Sequence, residues 1–220
     1  SQTVTGVQTC ALPILGAEAE LRQTDAGIEV RAGENRVTVD KVLVSMGRRP
    51  NLQGLGLEQL GVELDERGLP PFDPHTLQIP GLPVFIAGDL NGERPVLHEA
   101  GDEGRIAGYN ATRETPVRFS RKAPLSITFS DPNIIQVGRC ISTLDPETTA
   151  IGRFEFQTNG RAKVMGQDHG LVRIYGDRRD GRLLGAAMAG PRGEHLAHLL
   201  AWSIQQEMTV FDLIKMPYYH

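Results

Sequence analysis

The run Leu82-Pro83-Val84-Phe85-Ile86-Ala87-Gly88-Asp89 constrains the fold most, because it reads as a short apolar strand that stops at a glycine and then an aspartate. In open α/β sheets, ligands bind outside the carboxyl ends of the strands, so a carboxylate at this point is placed to meet one. The small residues Ala87 and Gly88 let a bulky ligand approach the backbone, and the Asp89 carboxylate can accept hydrogen bonds from hydroxyl groups. A Gly-Asp pair by itself is equally a strand running into a turn, so the rest of the chain has to decide.

Composition narrows the class. With 220 residues, 40% of them hydrophobic and 23% charged, the chain carries enough apolar material for one or two cored domains and is too apolar for intrinsic disorder. The net charge of −4 comes without any dense Lys/Arg stripe, so no nucleic-acid or anionic-membrane footprint is present. Arg48-Arg49, Arg118 to Lys122 and Arg178-Arg179 are short basic clusters expected on solvated surface, with Arg48 the exception. No segment approaches the roughly 18 apolar residues of a membrane span and no signal peptide is visible, so a cytoplasmic location is the expectation. Of the two cysteines, Cys140 stands alone after Val137-Gly138-Arg139, which excludes a disulfide framework; it is expected to be an inert thiol in or near a sheet.

Ile28 to Arg31 and Arg36 to Val39 alternate with strand period around a turn at Ala32 to Asn35 and read as a hairpin. Val42-Leu43-Val44 is a continuous apolar run of the kind found in parallel strands buried on both faces. It ends at Ser45-Met46-Gly47-Arg48, before Pro50. Leu55 to Pro80 reads as a connecting excursion with one short helix near Leu57 to Leu60. Pro95 to Asn110 reads as a helix, with acidic Glu99, Asp102 and Glu103 near its start.

After a boundary at Thr112 to Lys122, strands are expected around Ser126 to Phe129, Ile134 to Gly138, Gly152 to Thr158 and Leu171 to Tyr175. A hairpin turn at Asp177 to Arg182 leads to Leu183 to Met188. A helix then follows Gly190-Pro191, with Leu196, Leu199, Leu200, Ile204 and Met208 at helical spacing as a core or dimer stripe. His195 and His198 lie three apart on it, but two such ligands without an acidic or cysteine partner do not make a zinc site.

Three segments, Lys41 to Asn51, Thr76 to Asp89 and Ser126 to Gly138, resemble in order and spacing the pyridine nucleotide-disulfide oxidoreductases, and the likeness runs from about Leu15 to His220. Within that family the dihydrolipoamide dehydrogenase branch is the most similar. The resemblance implies an α/β and α+β architecture: the C-terminal part of a nucleotide-binding (Rossmann-like) flavoprotein domain pair, followed by an α+β dimerisation domain. It implies that 15–50 close an NAD(P)-binding domain, 51–112 form the distal part of an FAD-binding domain, and 113–220 form a dimerisation domain truncated at its end.

The implied cofactors are FAD and NAD(P). Gly88, Asp89, Leu97 and His98 would face FAD, and Ser45, Met46, Gly47 and Arg48 would face the nicotinamide nucleotide. His220 would be the catalytic base acting on a dithiol, in a homodimer that also meets a lipoyl-bearing protein of a dehydrogenase complex. Tyr218-Tyr219 departs from the small residue and histidine expected there, which leaves substrate open.

Both ends of the chain are anomalous. Val4 to Ile14 reads as the conceptual translation of a short-read sequencing adapter, so residues 1–14 are set aside as non-native. No Gly-x-Gly-x-x-Gly loop follows a strand and no cysteine pair lies four residues apart, so the expectation is a fragment, inactive alone. Two other readings stand beside an oxidoreductase: a catalytically silent dimerisation module, and a transhydrogenase-like flavoprotein without a redox disulfide.

Overall fold

The computed structural model describes residues 16–218; the adapter-like segment and His220 lie outside the described residues. The chain divides into two compact units, 1–49 and 50–220.

In the first unit, β1 (Ala19–Thr24), β2 (Gly27–Ala32) and β3 (Asn35–Val39) form an antiparallel sheet in sequence order. The expected hairpin is β2–β3, closed by Gly33-Glu34 between the paired residues Ala32 and Asn35. Val30 pairs with Leu21 on one side and Val37 on the other, which gives one face a row of apolar side chains. Val42 to Val44 does not form the expected buried parallel strand: it is irregular chain, with Leu43 94% exposed. A strand buried on both faces needs neighbours on both edges and a layer over each face, and the described residues of this unit supply neither.

The second unit opens with a 3-10 turn at Leu57–Leu60, as expected, and reaches the Gly-Asp motif through a tight antiparallel contact. The Leu82 to Ala87 run is not a ladder strand. It makes one isolated bridge, Gln78 to Phe85, flanked by Ile79 N–H to Val84 O at 2.9 Å and Ile86 N–H to Leu77 O at 2.8 Å. That contact buries Leu77, Ile79 and Ile86 and delivers the chain to a 3-10 turn at Gly88–Asn91 and then to α1 (Leu97–Ala111).

The remainder is a five-stranded antiparallel sheet in the order β4 (Leu125–Thr128), β5 (Asn133–Gly138), β8 (Leu183–Gly190), β7 (Leu171–Asp177), β6 (Thr149–Glu155). A short helix, α2 (Gly160–Val164), lies in the β6–β7 connection, and α3 (Gly193–Gln205) packs on β5 and β8. The core joins Ile135, Val137, Val172, Ala186 and Met188 of the sheet to Ala197, Leu200 and Ala201 of α3. The final helix, α4 (Val210–Lys215), starts at a reciprocal cap: the Thr209 hydroxyl accepts from the Asp212 N–H, and the Asp212 carboxylate accepts from the Thr209 N–H.

Candidate functional site

The Gly88–Asn91 turn follows extended chain at Ala87 and starts with Gly88 at φ 74°, a left-handed conformation that a side chain would strain. A Cβ there would also lie 3.2 Å from the Ala100 Cβ, so the glycine lets the loop sit directly on α1. Asp89, half-buried, occupies the first turn of the 3-10 segment.

Beneath the loop lies a cluster of charged side chains. Glu103 of α1 is 1% exposed, and its Oε2 accepts the Gly88 N–H at 2.6 Å and the Asn91 Nδ2 at 2.7 Å. Asn91 in turn accepts the Glu93 N–H at 2.9 Å, so both ends of the turn are tied. Arg121 donates to Glu103 and, at 2.9 Å, to Glu99, while Arg94 donates to the other Glu99 oxygen at 3.1 Å. Burial works to lower the Arg121 pKa, but the hydrogen bonds to Glu99 and Glu103 outweigh it and raise the value above the usual arginine range. Two guanidinium and two carboxyl groups thus face one another, which is how this much formal charge is accommodated away from water.

The start of α1 is built differently. Val96 precedes it in extended conformation, and no side chain caps the helix. The first-turn N–H groups have no carbonyl within the helix to bond, and the helix dipole adds partial positive charge, so this end favours an electron-rich group. Leu97 is 89% exposed and His98 is exposed beside it.

Gly88, Asp89, Leu97 and His98 therefore lie on one loop and the helix that follows it. Ser45, Met46, Gly47 and Arg48 belong to the first unit, on exposed irregular chain in which Gly47 has φ 78°. Arg121, expected on solvated surface, is instead held in the buried cluster with its side chain 12% exposed. Cys140 is exposed, two residues beyond the end of β5. Its pKa is held below the ordinary thiol value by the Ser142 hydroxyl, and not by the neighbouring arginine. No trio of His, Cys, Asp or Glu among the described residues is arranged to hold a metal ion.

The loop and the helix start together present polar and apolar groups to a ligand. The uncapped helix start and the exposed Leu97 offer a polar edge and an apolar face, and Asp89 offers an acceptor on a loop without a Cβ at Gly88.

Comparisons with known proteins identify the family of the chain. Residues 14–104 match the family model described as pyridine nucleotide-disulphide oxidoreductase, and residues 125–220 match the dimerisation domain of the same family. A dihydrolipoyl dehydrogenase of Bacillus subtilis is 31% identical over 195 residues, covering 87% of this chain and 41% of the relative. One from Haloferax volcanii is 32% identical over 209 residues, covering 90% of this chain and 43% of the relative. Among solved structures, LpdA from Mycobacterium tuberculosis superposes with a TM-score of 0.77 at 28% identity, over 93% of this chain and 45% of that one. The HOCl-induced flavoprotein disulfide reductase RclA from Escherichia coli shares the fold with a TM-score of 0.76 at 21% identity, over 94% of this chain and 48% of that one. The chain thus spans 41% and 43% of the lengths of these two curated relatives.

Proposed function

The chain belongs to the pyridine nucleotide-disulphide oxidoreductase family, and on that premise we propose that it serves an FAD-dependent enzyme passing electrons between a dithiol/disulfide and NAD(P). The dithiol we assign is a dihydrolipoyl group, because the curated relatives are dihydrolipoyl dehydrogenases. The observation that carries the reading is the Gly88–Asp89 loop, pinned on α1 immediately before an uncapped helix start.

In this reading the Asp89 carboxylate accepts hydrogen bonds from the hydroxyls of the flavin side chain, while the Leu97 and His98 N–H groups face the ring. FAD, when bound, supplies the electron relay between the dithiol and the nicotinamide. Ser45 to Arg48 hold the nicotinamide nucleotide against the backbone. His220 acts as the base that takes a proton from the dithiol, which requires a pKa near neutrality.

Residues 15–50, 51–112 and 113–220 are the corresponding end of the NAD(P) domain, distal FAD region and dimerisation domain. A homodimer is supported by the dimerisation-domain match and by exposed apolar side chains on α3 and α4, among them Leu199, Trp202, Phe211 and Ile214. A lipoyl-bearing protein is the further partner. No helix of the described residues is long and apolar enough to cross a membrane, and a cytoplasmic location belongs to the same proposal.

A second reading concerns the 220-residue chain by itself. Its sequence holds no glycine-rich phosphate loop, which favours a catalytically silent association module.

The test is an FAD titration, followed by flavin fluorescence, of this chain and of a protein extended to the relatives' length. The same samples are assayed for NADH formation from dihydrolipoamide. Activity confined to the extended protein supports both readings. An extended protein that takes up no flavin overturns the first, and stoichiometric FAD reducible by NADH in the chain alone overturns the second.

A further inference from the structure

We infer that Glu103 is a positioning residue for the flavin-facing loop: its buried carboxylate, braced by Arg121, fixes Gly88 and Asn91 and thereby sets where Asp89 stands. The inference rests on the proposed reading of Gly88 and Asp89 as flavin contacts.

The geometry separates this role from simple packing. Oε2 receives both anchors of the turn, the Gly88 N–H and the Asn91 amide, and Oε1 receives the Arg121 guanidinium. Asp89 lies between the two anchors in sequence, so its backbone is located from both sides. The Gly88 bond also orients the peptide that enters the left-handed turn. Arg121 stands four residues before β4, so the brace comes from the segment leading into the five-stranded sheet.

The donor count makes the site specific for a carboxylate. Three donors converge on two acceptor oxygens. A glutamine has one oxygen and an NH₂ group. Turned one way, it opposes its NH₂ to the Arg121 guanidinium; turned the other, it opposes NH₂ to the Gly88 N–H and the Asn91 amide. An aspartate keeps the charge but is one methylene shorter and cannot meet both sides from the same backbone position. A role confined to stability would lower the melting temperature of such variants without changing how the folded protein holds its cofactor.

The experiment uses the protein at the relatives' full length, with wild type, Glu103→Gln and Glu103→Asp compared well below their melting temperatures. The FAD dissociation constant of the apoprotein, the visible spectrum of bound flavin and hydrogen exchange of the 86–92 segment without FAD are measured. In Glu103→Gln, FAD binding weakens by about tenfold or more, the flavin bands shift, and 86–92 loses protection while β7 and β8 do not. Glu103→Asp moves the same readouts in the same direction. If Glu103→Gln does not fold, Asn91→Ala removes one donor to the same oxygen and gives a smaller change of the same sign.

Unchanged FAD affinity and unchanged loop exchange in variants that fold overturn the inference. A wild type that takes up no FAD overturns the flavin reading instead, and the exchange comparison, which needs no flavin, then decides whether Glu103 holds the loop.

Discussion

Asn110 and Val117 pair as residues of adjacent strands do, although one contributes its side chain: Asn110 Nδ2 donates to the Val117 carbonyl at 3.0 Å, and its Oδ1 accepts the Val117 N–H at 2.9 Å. The same Nδ2 also donates to the Thr76 carbonyl at 3.0 Å, and the residue is fully buried. One amide at the end of α1 thus ties the turn before the Gly-Asp loop to the segment leading into β4. Asn110→Ala removes all three bonds and leaves backbone groups without partners, so a loss of about 2–4 kcal/mol is expected. Urea unfolding of the two proteins checks it, and a change below about 0.5 kcal/mol, typical of a surface site, contradicts the assigned role.

Acid sensitivity has an identifiable contributor in the β7–β8 turn. Hydrogen bonds from the Arg179 side chain, at 2.8 and 3.1 Å, and from its backbone N–H hold the Asp177 carboxyl at about 2, below its ordinary 3.8. A carboxyl whose folded value is depressed adds stability that is complete above the unfolded value and is lost as pH falls through the folded one. The loss therefore falls between about pH 4 and pH 2. Asp177→Asn should be less stable than wild type above pH 4 and converge with it near pH 2, which unfolding midpoints across that range will show.

The legible parts of this chain were those written in local chemistry. The Asp177 to Arg182 turn, the helix after Gly190-Pro191 and the alternating strands around it stand where their residues place them, because turn geometry and strand period act over a few positions. The α3 stripe, expected as a core or dimer face, divides: Leu200 and Ile204 pack on the core, Leu199 is 59% exposed, and the core contact also takes in Ala197 and Ala201, which the stripe leaves out. A helix lying close on a sheet puts small residues at the contact, and hydrophobicity alone favours the large ones. In the site, Gly88 and Asp89 stand out in the sequence, whereas Glu103 reads as one of several acidic residues near a helix start and Arg121 as part of a solvated basic cluster. Their burial arises from a pairing 18 residues apart that no local pattern encodes.

The β5–β8 pairing ends on two glycines in register, Gly138 and Gly185, and the second is there for space. A Cβ on Gly185 would stand 2.2 Å from the Arg139 carbonyl oxygen and 3.0 Å from its nitrogen, both backbone atoms that cannot rotate away. Gly185→Ala should cost about 1–3 kcal/mol or more and weaken the Arg139 N–H to Leu184 O bond, visible as faster exchange at Arg139. Gly152→Ala is the control, since its nearest contact would be 3.9 Å away, and it should stay within about 1 kcal/mol of wild type.

Cys140 offers a test of how one hydroxyl tunes a thiol. It sits exposed two residues beyond the end of β5, and the Ser142 Oγ donates to its Sγ at 3.3 Å. That hydrogen bond stabilises the thiolate and is the largest cause of the lowered pKa, followed by the Ser142 backbone N–H. The Arg139 side chain is directed to the Thr143 carbonyl instead, at 2.9 Å. The thiolate is the reacting form, so at a pH below the thiol pKa the rate of modification follows the thiolate fraction. In a Cys10→Ser background, Ser142→Ala should slow labelling by an aromatic disulfide reagent at pH 7, while Arg139→Ala changes it less. Raising the pH until the thiol is fully ionised should remove the difference, because both proteins then present thiolate at the same exposed position. Equal rates for wild type and Ser142→Ala at pH 7 would show that the serine does not set the reactivity of this cysteine.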